Sequence, residues 1–288
     1  MEPLTIHLVA GTRPNFMKVA PVYHALKDQD WCRPVLVHTG QHYDPEMSGA
    51  FLTDLQLPEP DYQLNVGSGS HAVQTAGVMV AYERICLERR PDWTIVVGDV
   101  NSTLACALVA AKLCIPLAHL EAGLRSGDRS MPEEINRVVT DAVADLLWTP
   151  SPDADENLRA EGIPKSRIER VGNIMIDAYE LQRRRIEEAG TPQRLGLTGG
   201  DYGVVTIHRP VNVDSHETLQ ILVGELIESA KDLPLVFPVH PRTRERLESF
   251  GLSQRLREAP GLHVAQPMGY IDFMSLLSES RLAITDSG

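Results

Sequence analysis

The chain has 288 residues, of which 43% are hydrophobic and 23% charged, and its formal net charge is −12. This length suits two domains of an ordinary globular protein. The acidic charge argues against non-specific nucleic-acid binding, which needs a basic face, and no apolar run reaches the length of a membrane span. The N-terminus lacks a signal-peptide pattern and the four cysteines follow no metal-site spacing, so we expect a cytoplasmic protein with reduced thiols.

The first predicted strand, residues 4–10, leads into the turn GTRPNFMK at residues 11–18. A glycine turn between a first strand and a first helix is a common phosphate-binding site, because free backbone N–H groups and the helix dipole favour an anion. The GxGxxG dinucleotide fingerprint is absent, and Arg13 and Lys18 bring positive charge to the turn instead. The alternative is a solvated turn with two ordinary basic residues.

A second strand, residues 34–37, leads into the segment HTGQHYD. His38 and His42 are four residues apart, as metal ligands on a helix can be, but Gly40 and the preceding strand disfavour a helix there. We therefore expect no metal at this position. A polar loop at residues 61–70 and one long helix at residues 71–89 follow.

The stretch from residue 94 to residue 137 contains two predicted strands that each finish at a carboxylate. The strand at 94–97 is followed by Asp99, and the strand at 116–120 is followed by Glu121. Ligands of doubly wound sheets bind at the carboxyl ends of the strands, so these carboxylates are expected to lie close together.

Two further carboxylates, Glu133 and Glu134, open the next predicted helix. The density of acidic groups indicates an acid/base site. Simpler interpretations remain open, since Asp99 could cap a helix and either glutamate could merely favour a helix N-terminus.

Alternating strands and helices up to residue 172 predict a parallel sheet with helices on both faces. We place an N-terminal domain at residues 1–172 and a C-terminal domain at residues 173–288, joined by a charged helix at 174–189 and a loose segment at 190–200. The second half repeats the same pattern. The predicted fold class is α/β, with two doubly wound Rossmann-like domains facing a central cleft that suits a nucleotide sugar.

Nine motifs occur in one order along the chain. They are GTRPNFMKVAP (11–21), TGQHYD (39–44), GDVNST (98–103), HLEAGLRSGD (119–128), PEEINR (132–137), VGN-x-x-x-DA (171–178), HRPVNVD (208–214), PVHPRTR (238–244) and TDSG (285–288). Together they resemble the non-hydrolysing UDP-N-acetylglucosamine 2-epimerases, whose fold is similar to that of the two-domain GT-B glycosyltransferases.

The resemblance implies a reaction that the composition could not reveal. Family members interconvert UDP-GlcNAc and UDP-ManNAc with no cofactor, neither NAD nor a metal. UDP is eliminated across C1 and C2 to leave a bound 2-acetamidoglucal, and it then adds back while a proton reaches the other face. The implied partner is therefore a UDP-sugar substrate.

Residue roles are implied by the same motifs. The catalytic residues would be Asp99, Glu121, Glu133 and His208, of which the histidine is either catalytic or phosphate-facing. Substrate binding would involve Arg13, Lys18, Ser287 and Gly288. A second UDP-GlcNAc, which some bacterial members need beside the active site, would be held by Gln41, His42, Gln74, Arg209 and His240.

The sequence departs from the family pattern at its last residues, TDSG, so we expect an incomplete second domain of marginal stability and weak UDP binding. Four alternatives are a hydrolysing 2-epimerase, a relative acting on a UDP-diacetamido-uronate, a GT-B glycosyltransferase, and an inactive UDP-sugar-binding fragment.

A homodimer is expected from the helix at 71–89, whose apolar residues Val78, Met79, Val80 and Tyr82 surround most of its circumference.

Overall fold

A computed structural model of the chain describes residues 2–40 and 52–286, without the side chain of Arg13. The chain divides into two compact units, residues 1–181 and residues 182–288. The division falls inside a helix that spans Ile174–Ala189, the predicted connector. The predicted domain boundary between residues 172 and 173 stays a prediction.

The first unit is built around a parallel sheet, in which seven strands of the described residues take the order β3-β2-β1-β4-β5-β6-β7. The strands are β1 (Leu4–Ala10), β2 (Cys32–His38), β3 (Tyr62–Gln63), β4 (Trp93–Val97), β5 (Leu117–Leu120), β6 (Leu146–Thr149) and β7 (Ile168–Arg170). The short strand β3 lies in the segment that was expected to be only a polar loop.

The helices of this unit pack on both faces of the sheet. They are α1 (Arg13–Leu26), α2 (His71–Glu88), α3 (Asn101–Lys112), α4 (Pro132–Val143), α5 (Pro152–Ala160) and α6 (Ile174–Ala189). In β1, Val9 joins the cluster that contains α2 and α3, whereas Ile6 and Leu8 join the cluster that contains α1. Burial on both faces explains why these strands read as continuous apolar runs.

The second unit contains a parallel sheet whose described strands take the order β10-β9-β8-β11. The strands are β8 (Gly203–Thr206), β9 (Leu235–Pro238), β10 (Leu262–Ala265) and β11 (Leu282–Thr285). The helices are α7 (Thr191–Arg194), α8 (Pro210–Val213), α9 (His216–Ser229), α10 (Pro241–Ser249), α11 (Ser253–Arg257) and α12 (Tyr270–Ser278).

The segment at residues 190–200, expected to be loose, is anchored at its start. Thr191 is buried in α7, where its backbone N–H donates to Oγ of Ser275 at 3.3 Å and its hydroxyl donates to Asp272 at 3.1 Å. The expectation was wrong for this part because glycine and proline content alone does not report tertiary hydrogen bonds.

Among residues 2–40 and 52–286, no helix combines the length and hydropathy that crossing a bilayer requires.

Candidate active site

The loop after β5 holds Glu121 in a left-handed backbone conformation, with φ of 70°. A non-glycine residue in this region costs on the order of 1–3 kcal/mol, so the surrounding contacts must hold it there. The next residue, Ala122, donates its N–H to the carbonyl of Trp148 at 3.0 Å, and Asn157 donates to the carbonyl of Gly123 at 2.9 Å. A strained carboxylate at a strand end is a typical feature of a functional site.

Glu121 forms a salt bridge with Lys18 of α1, and the side chains are 15% and 16% exposed, respectively. The backbone of Gly98 lies against this pair. A Cβ atom at position 98 would be 3.2 Å from Nζ of Lys18 and 3.5 Å from Oε2 of Glu121, and Gly98 has φ of 66°. Glycine is therefore favoured at the end of β4, because other residues rarely adopt this φ and a Cβ atom would lie close to Nζ of Lys18.

Asp99, the second strand-end carboxylate, forms a salt bridge with Arg137 of α4. Its backbone carbonyl accepts a hydrogen bond of 2.8 Å from the amide of Asn136. Helix α3 has Val100 as its N-cap, without a side-chain cap, so the alternative that Asp99 caps the helix is wrong. The carboxylate of Asp99 is directed to Arg137 instead.

The adjacent residues Glu133 and Glu134 have different environments. Glu134 is 4% exposed and accepts hydrogen bonds from Ser126, from Gly127 and, at 3.1 Å, from Arg137. Burial alone would raise the pKa of Glu134, but these hydrogen bonds outweigh it and lower the pKa to about 2. Glu134 therefore anchors the loop before α4.

Glu133 is half-buried, and within the described part of the chain its carboxylate has no hydrogen bond or ion pair. It lies in the first turn of α4, next to the residue that anchors the loop. Of the two glutamates, Glu133 is thus the one whose carboxylate is available to a ligand.

The first turn of α1 differs from the predicted phosphate site. The side-chain oxygen of Asn15 accepts hydrogen bonds from the N–H groups of Gly11 at 3.1 Å and Thr12 at 3.0 Å. The free N–H groups expected at Gly11 and Thr12 are therefore already occupied, since Asn15 closes the turn. Arg13 begins α1, but its side chain lies outside the described structure, so its role stays a prediction.

Gln74, expected near a second sugar nucleotide, belongs to a buried amide network. Its side chain is 6% exposed, donates to the carbonyl of Gly67 at 3.2 Å and accepts from Asn101 at 2.8 Å. Asn136 donates to Asn101 at 3.3 Å as well as to the carbonyl of Asp99. Gln74 is thereby linked to the Asp99 loop, and its assignment to a second nucleotide stays a prediction.

In the second unit, Asp286 organises the loop after β8. It accepts hydrogen bonds from the N–H groups of His208 at 3.0 Å and Arg209 at 2.8 Å and from the Asn212 amide at 3.0 Å. Burial would raise the pKa of Asp286, but the hydrogen bonds from Asn212, Arg209 and His208 outweigh it and lower the pKa. Asp286 is therefore a carboxylate that fixes the backbone carrying two predicted site residues.

The rings of His208 and His240 lie with their centroids 5.5 Å apart. His240 precedes α10, and its Nδ1 accepts a hydrogen bond of 3.2 Å from the N–H of Arg242. Burial, followed by the proximity of His208 and Arg242, lowers the pKa of His240, so this ring is neutral at pH 7. Its proton is then on Nε2, the nitrogen left to donate to a ligand.

The predicted substrate residues Ser287 and Gly288 and the predicted second-site residues Gln41 and His42 lie outside the described residues. Within the part that the structure describes, no group of three or more His, Cys, Asp or Glu residues could hold a metal ion.

Arg137 and Asn136 have no counterpart among the predicted site residues. Arg137 is three residues after Glu134, a spacing that places both on one helix face and could have indicated their pairing. The contacts of both residues with Asp99, on a different element, depend on tertiary structure and have no local signal.

The family model for UDP-N-acetylglucosamine 2-epimerase matches residues 24–288. A UDP-N-acetylglucosamine 2-epimerase of Methanocaldococcus jannaschii is 41% identical over 293 residues, which cover 99% of this chain and 79% of the relative. A UDP-2,3-diacetamido-2,3-dideoxy-D-glucuronate 2-epimerase of Pseudomonas aeruginosa is 40% identical over 289 residues, covering 99% of this chain and 78% of that protein.

The crystal structure of the M. jannaschii UDP-GlcNAc 2-epimerase in complex with UDP-GlcNAc and UDP superposes with a TM-score of 0.86 at 39% identity, covering 99% of this chain and 79% of that one. The Neisseria meningitidis UDP-GlcNAc 2-epimerase bound to UDP-GlcNAc gives 0.87 at 27% identity, with 99% and 78% covered. These matches confirm the predicted α/β, GT-B-like fold class and the epimerase assignment. The chain belongs to the UDP-N-acetylglucosamine 2-epimerase family.

Proposed function

We propose that the protein interconverts UDP-GlcNAc and UDP-ManNAc by inversion at C2 of the sugar. The observation that carries this proposal is the set of carboxylates at two neighbouring strand ends and one helix start. Glu121 is paired with Lys18, Asp99 is paired with Arg137, and Glu133 is available to a ligand. Inversion by elimination and re-addition of UDP needs such groups, because one face of C2 must lose a proton and the opposite face must gain one.

The elimination step leaves its electrons on the nucleotide. The C1–O bond breaks with its electron pair on the UDP oxygen, the C2 proton passes to a carboxylate, and a C1=C2 double bond forms in the 2-acetamidoglucal. In the return step, C2 takes a proton on the other face while the UDP oxygen bonds to C1 again. No oxidant or reductant is consumed, so the two steps balance in atoms and electrons without NAD or a metal.

The leaving diphosphate needs positive or hydrogen-bonding groups that hold it between the two steps. We assign this role to the loop at His208 and Arg209, together with Lys18, Arg13, Ser287 and Gly288. The support within the described residues is that Asp286 orients the backbone of His208 and Arg209, whose side chains remain half-buried and exposed, respectively. Retention of UDP in the site distinguishes this reaction from hydrolysis, which would release UDP and free ManNAc.

The reaction is tested by incubating the protein with UDP-GlcNAc in D₂O, without added cofactor, and following the sugars by NMR. We expect UDP-ManNAc to appear with deuterium at C2, because the proton carrier exchanges with solvent. Product without solvent label would refute the elimination route, and stoichiometric free ManNAc with UDP would identify the hydrolysing alternative.

A second substrate is favoured by one observation, the 40% identity to the P. aeruginosa UDP-2,3-diacetamido-2,3-dideoxy-D-glucuronate 2-epimerase. The chemistry at C1 and C2 would be the same, and the difference would be recognition of a C6 carboxylate and a 3-acetamido group. Measuring kcat/KM for both sugar nucleotides with one preparation decides between them. A higher value for the uronate would replace UDP-GlcNAc as the substrate.

We also propose that the protein is a homodimer whose partner packs on α2. Three large apolar side chains on this helix are exposed at seven-residue intervals: Val73 at 67%, Val80 at 65% and Leu87 at 70%. Residues seven apart lie on the same helix face, so the three form one apolar stripe. An exposed stripe of this kind is typical of a protein interface.

The stripe differs from the residues on which the dimer prediction was based. Val78 and Tyr82 are completely buried in the core of their own unit, and only Val80 belongs to the exposed face.

For the cellular location we propose the cytoplasm, because Cys32, Cys86 and Cys106 are buried free thiols, as is usual in a reducing compartment.

A further inference from the structure

Behind the strand-end carboxylates lies a cluster of polar and charged side chains whose centre, His119 and Asp141, is buried. His119, in the middle of β5, is 0% exposed, and Asp141, on α4, is 1% exposed. Nδ1 of His119 is 2.6 Å from Oδ1 of Asp141, and Oδ2 of Asp141 is 2.8 Å from Nη1 of Arg125. Arg125 in turn donates two hydrogen bonds of 2.7 Å to the carboxylate of Glu161.

The second nitrogen of the His119 ring fixes the number of protons on the ring. Nε2 lies 2.8 Å from the backbone carbonyl of Gly98, a group that can only accept a hydrogen bond. The Asp141 carboxylate at Nδ1 is also an acceptor when ionised. Oδ2 of Asp141 accepts from the guanidinium of Arg125, a group that does not lose its proton, and from the N–H of Gly123, which keeps this carboxylate ionised. Each ring nitrogen thus faces an acceptor, and both contacts are hydrogen bonds only when both nitrogens carry a proton.

The charges in this cluster are balanced. A protonated His119 and Arg125 together carry two positive charges, and Asp141 and Glu161 carry two negative ones, with Glu161 the exposed member of the set. A buried charge is tolerated only when it is paired and hydrogen-bonded in this way. A neutral histidine would instead place a nitrogen lone pair either 2.8 Å from the Gly98 carbonyl or 2.6 Å from the Asp141 carboxylate, depending on its tautomer.

The pair contacts the backbone of both strand-end loops. The carbonyl held by His119 belongs to Gly98, the residue before Asp99 and the one that lies against the Lys18–Glu121 salt bridge. Oδ2 of Asp141 also accepts the N–H of Gly123 at 3.0 Å, two residues after Glu121. One buried ion pair therefore ties the loop that carries Asp99 to the loop that carries Glu121.

We propose that His119 is a permanently protonated positioning residue, paired with Asp141, that holds Asp99 and Glu121 in the geometry that proton transfer at C2 requires. This proposal rests on the proposed function for its kinetic part. Its charge-state part depends only on the hydrogen-bond acceptors around the ring. A displacement of about 1 Å at a reacting group can lower a rate by roughly 100-fold, so loss of the pair should reduce turnover although neither side chain is assigned a contact with substrate.

The charge state is tested by NMR on protein with ¹³C/¹⁵N-labelled histidine at pH 7.5. We expect two protonated nitrogens in the His119 ring, and only one in Asp141→Asn, where the counter-charge is removed. His7 is the internal control, since it is also buried in a central strand but has one side-chain hydrogen bond, of 3.1 Å to the Tyr82 hydroxyl. Burial, opposed by Asp61, lowers the pKa of His7 to about 4, so His7 is neutral in the same spectrum.

Positioning is tested by the kinetics of His119→Gln and Asp141→Asn, with kcat expressed per UDP-binding site so that unfolded protein is not counted. We expect kcat to fall roughly 10- to 100-fold while KM for UDP-GlcNAc changes less than about 3-fold. The matched control His7→Gln removes a buried histidine hydrogen bond from the same sheet and should lower Tm without lowering kcat.

A neutral His119 ring in the parent protein would overturn the proposal, as would a kcat per site in both variants within about 3-fold of the parent value. Equal losses of kcat in His7→Gln and His119→Gln would also overturn it, because they would reveal general destabilisation. If the parent itself does not epimerise its substrate, the proposed function fails, and the ring protonation is still decided by NMR.

Discussion

Lys18 and Glu121 form a salt bridge across 103 residues of sequence, and both side chains are more than four-fifths withdrawn from solvent. Because this ion pair is largely buried, removing one partner leaves the other charge without compensation. Its place at the end of β5, against Gly98, makes it the centre of the strand-end site.

Replacing Lys18 with methionine keeps most of the aliphatic stem but removes the charge. We expect kcat/KM to fall by about 100-fold, because Glu121 loses the partner that orients it and the diphosphate loses a cation. Lys27→Met is the matched control, because Lys27 is exposed just after the same helix. Steady-state assays of both variants check this, and parent-like rates for Lys18→Met would contradict it.

The strand-end carboxylates should act in turnover and not in nucleotide binding. In Asp99→Asn and Glu121→Gln we expect kcat to fall by about 10²–10⁴-fold, the usual contribution of a positioned acid or base. UDP affinity, measured by calorimetry, should stay within about 5-fold of the parent, since the diphosphate is assigned to other residues. A variant with lost UDP binding and normal kcat would reverse this assignment.

The adjacent glutamates provide an internal comparison. Glu133→Gln should lower kcat by about 10²–10⁴-fold, the contribution of a positioned acid or base. Its Tm should be unchanged, because the Glu133 carboxylate has no hydrogen bond or ion pair in the described part of the chain. Glu134→Gln should mainly destabilise the protein, by roughly 1–3 kcal/mol, because it disturbs the buried hydrogen bonds of the loop. Assays and melting curves of the two variants separate these roles, and the opposite pattern would move the catalytic role to Glu134.

Much of this fold follows from local pattern. The strand β1 and the helix α6 were predicted with their observed bounds, because an apolar run or a helical charge pattern ends at a clear turn residue in each case. Two predicted strands of a parallel sheet also placed Asp99 and Glu121 at neighbouring strand ends, and the register of β4 and β5 confirms that these strands are neighbours.

The partners of the site residues could not be predicted in this way. Arg137 is 38 residues from Asp99, and Lys18 is 103 residues from Glu121, so their pairing depends on how helices dock on the sheet. The glycine turn after β1 likewise indicated free N–H groups for an anion, whereas the side chain of Asn15 accepts those of Gly11 and Thr12. The Thr12 and Asn15 side chains form a capping box here, and local side-chain capping of this kind competes with ligand binding.

Glu134 should also determine part of the acid sensitivity of the protein. Its pKa is lowered from 4.5 to about 2, so the folded state binds this proton less tightly than the unfolded state does. The resulting stabilisation is complete above pH 4.5 and is lost as the pH falls from there towards 2. We expect the free energy of unfolding, measured in urea, to fall over this window less steeply in Glu134→Gln than in Glu133→Gln. Identical slopes would refute the assignment.

The apolar stripe on α2 predicts the effect of a single charge on assembly. In Val80→Glu a carboxylate replaces the central side chain, and burying it in an interface would require desolvation without a partner. We expect light scattering at micromolar concentration to give a dimer for the parent and a monomer for this variant. Ile221→Glu is the matched control, since Ile221 is 59% exposed on α9 of the other unit and should leave the mass unchanged. A parent that is monomeric, or a Val80→Glu variant that stays dimeric, would exclude this stripe as the interface.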